Sequence, residues 1–172
     1  MTPPRPERQS VAILGLGSIG GIAAATLADA DRHDVIGCAR RPLDRLTLEM
    51  PEHTVEAPLR VLTDPAAAAP VDWVLLATKA QDTEAVAPWL TRLCTPATRV
   101  AVLQNGIGHV ERVAPLANGA RVVPAIVYYN GERLAADRVR LRYVSDHELA
   151  VPDDDDGRAF AALMAGTALR VR

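Results

Sequence analysis

Large side chains are what this chain most lacks. Of its 172 residues only 3% are aromatic, with a single phenylalanine, so any interior must be filled by Val, Leu, Ile and Ala. Such residues suit helices lying close against a sheet, whereas a β-sandwich of this size is hard to fill without bulkier groups. Charge of one sign is also missing: the formal net charge is −2, which gives nucleic acid no electrostatic footing. No apolar run approaches the roughly 20 residues of a membrane-spanning helix, so a membrane is not an expected partner. Cys38 and Cys94 are two isolated thiols without Cys-x-x-Cys spacing, and Met1 to Gln9 is Pro- and Arg-rich with no apolar segment of the kind a secretion signal carries. A cytoplasmic location fits these features. His33, His53, His109 and His147 are scattered without metal-ligand spacing, and the run Asp153–Asp156 reads as a solvated turn, since consecutive carboxylates cannot all face one ion. No metal is expected.

What is present begins with Val11-Ala12-Ile13-Leu14-Gly15-Leu16-Gly17-Ser18-Ile19-Gly20, an apolar run that breaks into Gly-x-Gly-x-x-Gly and continues as the helix-like Ile22-Ala23-Ala24-Ala25-Thr26-Leu27-Ala28. Strand, tight turn and helix start give each glycine a task. Gly15 permits the turn, Gly17 lets a pyrophosphate approach the backbone, and Gly20 lets the helix pack against the strand. The phosphates would meet free N–H groups at the positive end of the helix dipole.

Short β-type runs then alternate with helix-type runs, the mark of βαβ units. Strands are expected at Val11–Leu14, Asp34–Ala39, Asp72–Ala77, Arg99–Leu103 and Val122–Tyr128. Helices are expected at Ile19–Ala30, Thr83–Leu93 and Gly108–Leu116, with a short helix over Pro42–Met50 and an extended excursion over Thr54–Val61. Beyond Gly131, Arg138–Tyr143 and Glu148–Val151 read as a hairpin turning at Ser145-Asp146, followed by a helix at Arg158–Met164 and a last extended Leu169–Val171. The expected fold class is α/β: a Rossmann-like, doubly wound, mostly parallel sheet with helices on both faces and a C-terminal β-hairpin extension. Residues 1–10 read as a disordered lead and 11–172 as one nucleotide-binding domain.

The end of the second strand chooses between nicotinamide cofactors, because it faces the adenosine ribose. An acidic residue there accepts from a free 2′-hydroxyl, while arginine pairs with a 2′-phosphate. This chain has Cys38-Ala39-Arg40-Arg41 and no carboxylate, which points to NADP(H) with Arg40 as the main contact. A methyltransferase reading is disfavoured because Ile13-Leu14 stands where an acidic residue usually precedes the first glycine. Thr78-Lys79-Ala80-Gln81-Asp82 and Gln104-Asn105-Gly106-Ile107-Gly108 follow two central strands, where the crevice of such a sheet lies. Lys79 offers a cation and Asn105 an amide for orienting a ribose or a carbonyl. On spacing alone Lys79 reads equally well as an exposed turn lysine, and Asn105-Gly106 as an ordinary tight turn.

The glycine turn, Ala39-Arg40, Thr78-Lys79-Ala80-Gln81-Asp82 and Gln104-Asn105-Gly106-Ile107-Gly108 together resemble the N-terminal domain of the ketopantoate reductase (2-dehydropantoate 2-reductase) family, over about Val11 to Pro152. The resemblance implies that Gly15, Leu16, Gly17, Ser18, Ile19, Gly20, Arg40, Lys79 and Asn105 contact NADPH, with Asn130 of Tyr128-Tyr129-Asn130-Gly131 as a matching backbone contact. It implies NADPH-dependent reduction of a 2-ketoacid, 2-dehydropantoate to (R)-pantoate, in pantothenate and coenzyme A synthesis. Family members carry their catalytic lysine and substrate-binding residues in a helical second domain, which these residues do not include. No catalytic residue is therefore assigned here, and Lys79 and Asn105 are at most assisting groups. A homodimer or a separate helical catalytic domain is the expected partner. Two other readings stand beside this one: an NADP-binding or sensing module without catalysis, and the cofactor domain of another 2-hydroxyacid or sugar-phosphate dehydrogenase.

Overall fold

The structure, a computed structural model, describes residues 7–172. Along the chain run β1 (Ser10–Leu14), α1 (Ser18–Ala30), β2 (Asp34–Cys38), β3 (Arg45–Glu49), β4 (Thr54–Pro58), β5 (Arg60–Leu62), β6 (Trp73–Leu76), α2 (Ala87–Leu93), β7 (Arg99–Val102) and α3 (His109–Val113). They are followed by β8 (Arg121–Pro124), β9 (Ile126–Val127), β10 (Asn130–Ala135), β11 (Arg138–Arg142), β12 (Leu149–Ala150) and α4 (Asp155–Met164).

Six strands form one sheet in the order β5-β2-β1-β6-β7-β8, every neighbouring pair parallel. Counted along the chain within that sheet, the order is 3-2-1-4-5-6, the doubly wound arrangement expected of a Rossmann-like fold. Its central strands are buried on both faces because alternate residues feed two cores. Val11, Ile13, Trp73 and Leu75 join the core that holds α1 and α4, while Ala12, Leu14, Val74 and Leu76 join the core under α2.

A second sheet, ordered β10-β11-β3-β4, lies over the outer side of α1. Leu46 and Leu48 of β3, Ala57 of β4, and Val139 and Leu141 of β11 enter the same core as Ile22, Ala23, Ala24, Ala25 and Leu27. The eight residues Gly20–Leu27 are consequently buried without interruption. A helix that is apolar all round must be covered all round. Only small residues allow this from both sides: a Cβ on Gly21 would meet Val139 at 3.0 Å, and one on Gly131 would meet Ile22 at 2.9 Å.

This second sheet corrects two expectations. Pro42–Met50 contains a strand and not a helix: Leu46 and Leu48 alternate with Thr47 in a period of two, and β3 pairs with both β4 and β11. The proline that resembles a helix start opens the loop leading into that strand. The hairpin is also displaced. It is formed by β10 and β11 around Ala136-Asp137, and it joins the second sheet, not the parallel one. The Glu148–Val151 segment instead pairs with β9 through Leu149 and Ala150, and Leu149 bridges to Val171. Val122–Tyr128 divides into β8 and β9, and the expected helix Thr83–Leu93 is α-helical only over Ala87–Leu93.

Residues 1–6 of the expected lead lie outside the described residues; within its remainder, Ser10 already opens β1, bonding Asp72 by both backbone and hydroxyl at 2.8 Å. The aspartate run is partly structural. Asp154 caps α4 by accepting from the Gly157 N–H, and Asp156 pairs with Arg99 and Arg121. Glu148 is buried, and although burial opposes its charge, bonds from the Arg170 guanidinium and backbone hold its carboxyl below the usual range.

His33 closes the turn after α1. Its Nδ1 accepts from the Gln9 N–H, so the ring proton is on Nε2, which faces the Leu163 carbonyl at 3.2 Å. Burial, joined by the charges of Arg32 and Arg8, keeps this imidazole below its ordinary value despite the Leu163 bond. A depressed value means that the unfolded chain takes up the proton first. The stabilisation is therefore complete above about pH 6.5 and is lost as pH falls from there through the folded value. We expect thermal unfolding curves recorded from pH 7.5 down to 5 to show a falling midpoint whose slope shrinks in His33→Gln; an unchanged slope in that variant would refute the assignment.

Candidate functional site

β1 and β6 are neighbours whose crossovers leave in opposite directions, so their C-terminal ends open a crevice at the switch point of the sheet. Four loops meet there. The first is the glycine turn. Gly15 has φ +91°, a conformation that side chains rarely adopt, and a Cβ on it would meet Thr78 at 2.9 Å. A Cβ on Gly20 would sit 1.8 Å from the Gly15 carbonyl oxygen and 2.9 Å from Ala77. These two glycines are explained by the protein's own packing.

Gly17 is different. Its backbone is extended, with φ −76° and ψ −159°, and a Cβ there would meet nothing within 4 Å. It is the N-cap residue of α1, where Ser, Asp or Asn would satisfy a first-turn N–H, yet no side chain caps this helix and its first turn holds no carboxylate. The N–H groups of Ser18, Ile19 and Gly20 have no intrahelical acceptor by the geometry of a helix start. An open, uncapped, positive helix end beside a space that a methyl group would fill suits a phosphate oxygen. Leu16, by contrast, turns its side chain inward, 2.8 Å from where Gly37 would carry a Cβ, so it presents only backbone to the crevice.

The second loop follows β2. The Gly15 N–H donates to the Cys38 carbonyl at 3.1 Å, which puts Arg40, two residues on, beside the glycine turn. Arg40 and Arg41 are exposed, and among the described residues neither is held in an ion pair. Burial pushes the Cys38 thiol up to about 12, so it is an inert neighbour and not a nucleophile.

The third and fourth loops follow β6 and β7. Lys79 and Asn105 are both exposed at this end of adjacent strands. Behind them lies a connection that sequence reading missed: Gln104, 5% exposed, bonds Thr78 and Thr83 from the β6 loop and accepts from Arg112 of α3. Its only sequence signal was its place beside Asn105, and Arg112 had none. Asn130 is exposed at the start of β10, and the neighbouring Tyr129 donates its hydroxyl to the Ile19 carbonyl at 2.9 Å, pinning this segment to the first turn of α1. Burial drives the Tyr129 phenol well above its usual range, so it stays a neutral donor. A cavity of about 370 Å³ opens beside Asn105 between the 104–111 and 124–127 segments, and Ile107 and Ile126 at its rim are 91% and 58% exposed. Among the described residues no three His, Cys, Asp or Glu side chains converge on a possible metal position, and no helix is long and apolar enough to cross a membrane.

Comparison with known proteins identifies the family to which this fold and sequence are similar. The family model described as ketopantoate reductase PanE/ApbA matches residues 11–153. A 2-dehydropantoate 2-reductase of Caulobacter vibrioides is 43% identical over 162 residues, covering 94% of this chain and 55% of that protein. One from Mycobacterium tuberculosis is 38% identical over 163 residues, covering 94% and 54%. A crystal structure of a PanE/ApbA family ketopantoate reductase from Ralstonia eutropha superposes with a TM-score of 0.81 at 29% identity, covering 95% of this chain and 55% of that one. The chain thus spans about half the length of the relatives it matches.

The contrast between the two glycines can be tested without any ligand. Gly20→Ala forces backbone apart and should cost roughly 3 kcal/mol. Gly17→Ala should leave folding stability unchanged or raised by up to about 1 kcal/mol. Equal losses in urea melts of the two variants would show that Gly17 too is there for packing.

Proposed function

The chain belongs to the ketopantoate reductase family, and from that membership we propose that it supplies the NADPH-holding half of a reductase acting on a 2-ketoacid, with 2-dehydropantoate as substrate and (R)-pantoate as product. The observation that carries this reading is the empty space at Gly17, in front of an uncapped helix end. Glycine there has no use inside the protein and a clear one toward a pyrophosphate.

On this reading the N–H groups of the Gly15–Gly20 turn hold the pyrophosphate, with Leu16 contributing backbone only. Arg40 meets the 2′-phosphate: an exposed guanidinium beside the turn, with no carboxylate at the end of β2 to repel that phosphate or to accept from a free 2′-hydroxyl. Lys79 and Asn105 reach the bound cofactor from the ends of β6 and β7, and Asn130 adds a contact from the segment that Tyr129 ties to α1. NADPH, when bound, supplies the hydride. This chain's own residues bind and orient it, and Lys79 adds positive charge near a developing alkoxide without being its proton donor. The donor and the substrate-recognising groups belong to the part of the relatives that these residues do not span. The apolar rim at Ile107 and Ile126 supports a second body on that side of the crevice, either a helical domain or a second copy.

Fluorescence titrations with NADPH and NADH test the cofactor half directly. The unaltered chain should prefer NADPH, Arg40→Ala should lose about 10-fold to 100-fold of NADPH affinity while leaving NADH nearly unchanged, and Gly17→Ala should weaken both cofactors. Equal affinity for NADPH and NADH would remove the 2′-phosphate assignment, and unimpaired binding by Gly17→Ala would remove the pyrophosphate one.

A further inference from the structure

Lys79 and Asn105 are exposed side chains on loops, yet cofactor orientation demands a fixed separation between them. The residues immediately before them provide it. Gln104 Nε2 donates to Thr78 Oγ1 and to Thr83 Oγ1, each at 3.2 Å, while the Thr83 hydroxyl gives its own proton to the Ala80 carbonyl at 2.8 Å. Gln104 Oε1 accepts from Arg112 Nη2 at 2.9 Å. Arg112 fixes the amide's orientation, because turning it over would face its NH₂ toward a guanidinium that has no acceptor.

Arg112 is fixed in turn. Its Nη1 donates to the Ile107 carbonyl at 3.2 Å and its Nη2 approaches His109 Nδ1 at 2.9 Å. Burial and the Arg112 charge both lower the affinity of His109 for a proton, so its Nδ1 stays an acceptor. Arg112 Nε, however, is buried without a partner among the described residues. A side chain chosen for stability alone would not leave that donor stranded, since desolvating it is costly. Three oriented bonds on Gln104 likewise give direction more than stability, as an apolar residue could fill the same space.

We infer that Gln104, clamped by Arg112, is a positioning residue that sets the spacing and direction of Lys79 and Asn105 across the crevice. The inference rests on the function proposed above. Successive residues of an extended backbone point to opposite sides, and Lys79 has the extended φ −62° and ψ 146°. Thr78 and Gln104 are locked to each other, and Lys79 and Asn105, both exposed, directly follow them in the chain. Thr78 also fills the space in front of Gly15, so the clamp spans the loops after β1, β6 and β7.

A double-mutant cycle in NADPH affinity tests it. Gln104→Ala should weaken NADPH binding about tenfold in the unaltered chain and less than about twofold when Lys79→Ala and Asn105→Ala are both already present, because misplaced groups and absent ones are then equivalent. Equal weakening in both backgrounds would mean a merely structural glutamine and overturn the inference, as would no weakening at all. Lys79→Ala with unchanged affinity would overturn the assignment of Lys79 itself, while Gly17→Ala would still report on the pyrophosphate site. Should Gln104→Ala fail to fold, Thr78→Val removes one acceptor at nearly constant shape and should show the same coupling at about threefold.

Discussion

A methyl group on Gly20 would sit 1.8 Å from the Gly15 carbonyl oxygen, so the first turn of α1 rests directly on the end of β1. Everything else at this end of the molecule is referred to that contact. It brings the helix axis close enough to the sheet for Ala23 and Ala24 to be fully buried, and it aims the uncapped helix end along the crevice. It also leaves Gly17 standing clear of all neighbours. The same short segment thus contains glycines that the fold requires and one that the fold does not use, and only the second kind speaks of a ligand.

From that approach follows the unusual burden carried by α1. It is covered by the parallel sheet on one side and by the β10-β11-β3-β4 sheet on the other. Two sheets can close on one helix only if its side chains are short, which accounts for the run of Gly and Ala through its middle and for the scarcity of aromatic residues overall. The exceptions support the rule: Trp73 and Phe160 meet at 5.6 Å under α4, away from the helix start. Burial of the Tyr129 ring in this core is tolerated because its hydroxyl finds the Ile19 carbonyl, and that bond ties the second sheet's entry to the glycine turn.

The parallel sheet was legible in the sequence because its strands are near-continuous apolar runs, such as Val11–Leu14 and Trp73–Leu76, separated by helix-length segments. The second sheet was not. Arg45-Leu-Thr-Leu-Glu shows a period of two over only five residues, too short to outweigh the proline before it, and its partner β11 lies some ninety residues along the chain. Turn chemistry misled in the same way: Ser145-Asp146 has the composition of a hairpin turn, but the actual turn at Ala136-Asp137 is set by pairing of β10 with β11. At the site, the residues proposed to meet the cofactor are ones that stand directly after a strand, where the sequence marks a crevice. Gln104 and Arg112 act through a bond formed in three dimensions, and eight residues of spacing carry no sign of it.

The two ends of the crevice are built to different tolerances. Arg40 and Arg41 extend from an exposed loop without ion pairs to fix them among the described residues. A phosphate attracts a guanidinium over several ångströms and accepts it from many directions, so rigidity there would add little. Lys79 and Asn105 instead stand directly after two side chains that are locked to each other and to α3. Chemistry at a carbon centre loses rate steeply when the groups are misplaced by a fraction of an ångström. If the proposed function holds, a loosely held anion contact at one end and a clamped pair at the other is the division that a site with a tethering end and a reacting end requires. On the proposed reading the reacting end lies at Asn105, beside the cavity rimmed by the exposed Ile107 and Ile126.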